Sequence, residues 1–166
     1  MIGTANAEMI PQTEGAKTAL DLGLKAGGQQ GAIIRQLNSL PDKVYVTDQP
    51  DVFSRLSEMN TKNGLDGLFR PNLTDRGYSI YLRPDQPLAQ KVNTLAHESG
   101  HGVAQIAGVG GYNQPTGIGL VDAIATLGSQ RLPKDQNETL ADALAGFDKR
   151  KNPQADYIRE LMNKRK

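Results

Sequence analysis

The sequence predicts an α+β domain, a small mixed or antiparallel sheet packed on one long helix with further helices towards the C-terminus. Three observations lead there. Short β-branched or aromatic runs recur before residue 85, a single long helical run spans residues 86–107, and the remainder carries apolar residues at helical spacing.

Each element has a local reason. Residues 1–31 are rich in Gly, Ala, Gln and Thr, and Gly23, Gly27, Gly28 and Gly31 argue against a long helix, so a flexible or linker-like segment is expected there. The folded domain is expected over residues 32–166. Ile33, Ile34, Leu37 and Leu40 have helical spacing, and Pro41 stops that helix. KVYVTD (43–48) reads as a strand ended by Gln49-Pro50, and VFSRLSEMN (52–60) reads as a short helix before a turn at Lys62-Asn63-Gly64. LDGLFRP and RGYSIYLRP give two more strands. The second is expected to bury one face, with Tyr78, Tyr81 and Leu82 set apart from Ser79 and Ile80.

The clearest helix is DQPLAQKVNTLAHESGHGVAQIAG, with Asp85 as the expected N-cap and Pro87 in the first turn. A glycine-rich loop follows over 108–117, then helices near 120–127 and 136–149. Asn152-Pro153 separates a last amphipathic helix carrying Tyr157, Ile158, Leu161 and Met162.

Composition narrows the functional classes. The 166 residues carry a formal net charge of +1, which gives no electrostatic footprint for nucleic acid. The basic residues of the C-terminal tail are interleaved with acids and read as compensation of a helix dipole. With no cysteine, disulfides, thiolate ligands and a cysteine nucleophile are all excluded. No apolar run reaches the ~18 residues of a membrane span. MIGTANAEMIPQTEG has neither a basic nor an apolar signal region, so the expected location is the cytoplasm, or export without a Sec signal as part of a larger effector.

Both histidines of the chain lie in His97-Glu98-Ser99-Gly100-His101. Residues four apart stand about 40° apart round a helix, so both rings project from one face and can grip one metal ion. Glu98 lies beside that face, where a carboxylate can deprotonate a metal-bound water. Leu88, Val92, Leu95, Val103 and Ile106 are expected on the opposite side, against the core. The longer pattern H-E-x-x-H-x-x-G-x-x-H fails, because Ala104 and Ala107 stand where Gly and His are required. A third ligand must then be a carboxylate. Glu138 and Asp142, four apart on a later helix, share one face, so one can ligate while the other accepts an N–H from a ligand histidine. Asp122, Asp156 and Glu160 are the other candidates. An ordinary capping role for acids after Asn137 is the plainer alternative.

H-E-x-x-H on one helix and N-E-x-x-A-D on a later one resemble the gluzincin clan of zinc metallopeptidases. The match covers these two motifs and the order of elements between Lys43 and Phe147. The resemblance implies a zincin-like fold and Zn2+ held by His97, His101 and Glu138. It implies Glu98 as general base and then acid, with Asp142 steadying a ligand histidine. It also implies that Tyr78–Leu82 is an edge strand along which a protein or peptide substrate pairs. Thermolysin-like members use a further histidine or a tyrosine to stabilise the oxyanion. This chain has no spare histidine, so Tyr112 is the first candidate, with Tyr157 and Arg150 behind it. The small size resembles minimal gluzincins, which include repressor-cleaving peptidases of mobile elements and toxin domains of polymorphic toxin systems. A toxin of that kind implies a cognate immunity or inhibitor protein as partner. The rival reading is a zinc-stabilised binding or regulatory module without turnover.

Overall fold

The computed structural model describes residues 8–60, 66–72, 75–108 and 134–164. Among them are four strands, β1 (Ile10–Pro11), β2 (Val44–Thr47), β3 (Gly67–Pro71) and β4 (Tyr78–Leu82). Six helices accompany them: α1 (Glu14–Lys25), α2 (Gly28–Ser39), α3 (Pro50–Asn60), α4 (Leu88–Ile106), α5 (Lys134–Ala145) and α6 (Pro153–Asn163). The class is mixed α+β, as expected. None of the described helices is long and apolar enough to cross a membrane.

The strands form one mixed sheet in the order β1-β2-β4-β3, with β1, β2 and β4 parallel and β3 antiparallel to β4. β4 is therefore not the edge strand that the resemblance implied, because both of its sides carry ladder hydrogen bonds. Among the described strands the edges are β1 and β3, and each contains a proline, which an edge tolerates because no ladder donor is needed there. The expected split of side chains in β4 also fails. Alternation along a strand puts Ile80 and Leu82 on one face, and both are fully buried.

α4 crosses the molecule as its central helix, packed on β3 and β4 and against α1, α2 and α5. Leu95 and Val103 lie fully inside, as expected of the apolar stripe, but Leu88 is 40 % exposed. The helix begins at Leu88 rather than near Asp85, because Pro87 has extended backbone (ψ 151°). Asp85 lies 3.5 Å from the Arg83 guanidinium instead of capping the helix. α5 starts at Lys134 and stops at Ala145, earlier than the expected 149. The last helix starts as expected, with Asn152 accepting the Ala155 N–H (3.0 Å).

The linker-like reading of residues 1–31 does not survive over its described part. β1 pairs with β2, and α1 buries Ala16, Ala19, Leu20 and Gly23 in the core, while α2 begins at Gly28. Small residues misled the composition argument. On α1 they are the packing face, where close approach to neighbours rewards the absence of bulk.

A partly buried ion pair ties this N-terminal unit to α4. Lys91 Nζ lies 2.8 Å from Asp48, with side chains 10 % and 13 % exposed, and Asp48 also accepts the hydroxyl of Thr13, the N-cap of α1. Burial alone would raise the Asp48 pKa, yet the bonds from Lys91 and Thr13 hold it below its ordinary value. Removing one partner of such a pair strands the other. Lys91→Ala should therefore lower unfolding free energy by about 3 kcal/mol in urea melts, whereas the double change with Asp48→Asn should cost less.

Candidate metal centre

α4 and α5 together build the site. The histidine face of α4 meets the acidic face of α5 because Gly100 carries no side chain. A methyl group at position 100 would lie 2.7 Å from the Ala141 carbonyl oxygen and 3.0 Å from its Cα. Glycine inside a helix costs about 1 kcal/mol relative to alanine, so its presence needs a packing reason, and this is it. Ala141 lies between Glu138 and Asp142 on α5, so the contact brings both carboxylates up to the rings. Gly100→Ala should push the helices apart, cost about 1–2 kcal/mol of stability despite the better helix propensity, and weaken metal binding in chelator competition.

Three donors converge. His97 Nε2 lies 2.8 Å from Glu138 Oε2, His101 Nε2 lies 3.3 Å from Glu138 Oε1, and the two Nε2 atoms are 3.2 Å apart. The rings stand nearly perpendicular, at 87°. Tetrahedral ligands at about 2.0–2.1 Å from one ion stand about 3.3 Å from one another. The two Nε2 atoms and the His101 Nε2–Oε1 pair stand close to that spacing, while His97 lies nearest the other oxygen of Glu138, so presenting one oxygen to both rings takes a small turn of the carboxylate. His97, His101 and Glu138 could therefore hold a metal ion. The Nδ1 of His97 lies 2.7 Å from Asp142 Oδ1, so Nδ1–H donates outward and Nε2 faces the other donors. In this geometry Glu138 stands among the donors and Asp142 behind the ring.

The electrostatics follow from the same contacts. Burial works against a charged His97 ring, but its bond to Glu138, the Glu98 and Glu138 charges and the bond to Asp142 push its pKa up to about 9. Burial would raise Glu138, yet hydrogen bonds from His101 and His97 hold it well below the usual carboxylate range. In the metal-free protein the raised His97 value contributes stability that is complete below its unfolded value of 6.5 and lost as pH rises through about 9. The depressed Glu138 contributes stability above its ordinary 4.5, lost as pH falls. Thermal melts of chelator-treated protein should accordingly be highest between these limits, and melts that rise steadily from pH 6.5 to 9 would contradict this.

Glu98, the residue after His97 on α4, is 6 % exposed. Burial pushes its pKa up, against the pull of His101 and His97. Across from it lies β3, where Gly67 leaves room: a methyl there would stand 3.3 Å from Glu98 Cγ and 2.5 Å from Thr94 Cγ2.

Of the other predicted site residues, Tyr112 and Asp122 lie outside the described residues, as do the loop at 108–117 beyond Gly108 and the helix expected near 120–127. Asp156 faces Arg159 (3.3 Å) and Glu160 lies 3.9 Å from Lys164, both on α6 and outside the donor group. Arg150 is held by Asp148 through a 2.7 Å contact, and Tyr157 is 55 % exposed. Sequence reasoning missed the structural parts played by Gly100 and Gly67. For Gly100 a signal existed in its position, with Gly102, inside a long helix. No family model, curated protein or solved structure matches this chain.

Proposed function

We propose that this chain is a zinc-dependent metalloendopeptidase of gluzincin type with a zincin-like fold. The observation that carries this reading is Glu98, a buried carboxylate set beside the His97–His101–Glu138 donors and close enough to both rings for their charge to act on it. A purely structural metal site has no need of such an acid. Two imidazoles and a carboxylate suit zinc best among the common divalent ions. When bound, the metal supplies a Lewis acid that lowers the pKa of a water towards ~7 and polarises a carbonyl.

The chain's own groups do the rest. Glu98, with its basicity raised by burial, takes the proton from the attacking water and returns it to the leaving amine nitrogen. Asp142 holds the His97 ring so that Nε2 faces inward. The substrate strand is assigned to β3 in place of β4. Residues 66 and 72 bond to the residues that flank β4, since Arg83 N–H donates to the Asp66 carbonyl (2.8 Å) and Asn72 N–H to that of Gly77 (2.9 Å). Antiparallel alternation then turns the backbone groups of Gly67 and Phe69 to the side that no described strand pairs, where an extended peptide could pair. Within this reading the chain acts as an effector or toxin domain, with a cognate inhibitor as partner.

The test is incubation of the zinc-loaded protein with an unfolded protein substrate, with cleavage products mapped by mass spectrometry. Cleavage that chelator abolishes and zinc restores is expected. Fully zinc-loaded protein that cuts nothing overturns the reading.

A further inference from the structure

We propose that Gln86 and Thr94 are positioning residues that fix the distance between β3 and Glu98, and so set where a peptide on the side of β3 that no described strand pairs lies relative to the metal centre. This rests on the peptidase reading. The connection runs through side chains. Thr94 Oγ1 donates to Gln86 Oε1 (3.1 Å), and Gln86 Nε2 donates to the backbone carbonyl of Asp66 (3.0 Å). That same carbonyl accepts the Arg83 N–H, so Asp66 is fixed both to the loop after β4 and to α4.

Gln86 and Thr94 are each under 10 % exposed, which makes the chain of bonds costly to break, because each loss leaves a buried polar atom unpaired. Thr94 stands one helical turn before Glu98 on the same side of α4, and Lys91 stands on that side one turn earlier. Lys91 is committed to Asp48, so it fixes α4 to β2 and α1 and leaves β3 to Thr94. The next residue of β3 is Gly67, whose missing side chain lets Thr94 Cγ2 and Glu98 Cγ both approach the strand. The start of the edge strand is thus pinned beside Glu98 by an amide and a hydroxyl, in addition to its ladder with β4. An extended peptide pairing at Gly67 and Phe69 inherits that spacing.

Thr94→Val keeps the side-chain shape and removes the donor, and Gln86→Met approximates the length without either hydrogen bond. Each zinc-loaded variant is assayed on a peptide that the wild type cuts. The expected result is a KM raised about tenfold, with kcat and bound zinc within twofold of wild type. Amide exchange at Leu68 and Arg70, whose N–H groups face β4, is expected to be faster. Thr94→Ser, which retains the hydroxyl, should restore KM. An unchanged KM overturns the proposal, and so does a joint loss of KM, kcat and zinc, which is what general destabilisation gives. Should the wild type cut no peptide, the peptidase reading fails on its own. Amide exchange then decides the clamp: faster exchange in Thr94→Val supports it, and unchanged exchange overturns it.

Discussion

Glu98→Gln is expected to lower peptide hydrolysis by about 10²–10⁴-fold, the usual contribution of a positioned general base, while zinc content stays at the wild-type level. Glutamine has nearly the shape of glutamate, so the packing against Gly67 is retained and only the proton-accepting oxygen is lost. Because Glu98 is outside the donor group, the metal has no reason to leave. Stability should hold or rise slightly, since burying an ionisable carboxylate is costly and glutamine is neutral. The two measurements are initial rate and metal content on the same sample. A variant that keeps full rate removes Glu98 from the chemistry. A variant that loses zinc shows that its carboxylate is a ligand. The same substitution tests the effector reading: expression of the wild type should poison a host cell and expression of Glu98→Gln should not.

Glu138→Ala should abolish tight zinc binding. The carboxylate contacts both rings at 2.8 and 3.3 Å, and its removal leaves two imidazoles, too few for a stable catalytic site. His97 also loses its strongest support for the charged state, so its pKa should fall from about 9 towards the ordinary range. A histidine titration by NMR on metal-free protein would register that fall. Asp142→Ala provides the contrast, because it removes only the hydrogen bond to Nδ1 and should weaken metal affinity about 10–100-fold. If mass analysis finds unchanged zinc in Glu138→Ala, the third ligand lies elsewhere, and Asp122 is then the residue to change.

Much of this was legible in the chain because the relevant signals are local. The strands at 43–48 and 76–84 stand out by β-branched and aromatic content, and the H-E-x-x-H spacing fixes two rings on one face wherever a helix forms. Pairing Glu138 with Asp142 also needed only helical periodicity. What failed was long-range. Nothing local distinguishes a glycine- and alanine-rich linker from a helix whose small residues are its contact surface, and α1 is the second kind. Strand order is likewise invisible in a strand's own residues, so β4 passed for an edge although β2 and β3 flank it. The bonds joining Gln86 to Thr94 and Asp48 to Lys91 span 8 and 43 residues, and no periodicity encodes them.

The side of β3 that no described strand pairs has a further consequence. An unpaired strand edge that can accept a peptide can equally accept another copy of the same chain, which is how sheet proteins begin to aggregate. Here the hazard is limited by length and by one imino acid. The strand has five residues, only Gly67 and Phe69 offer both a donor and an acceptor outward, and Pro71 offers a carbonyl alone. An edge this short can hold one guest segment, yet it gives a growing fibril little to copy.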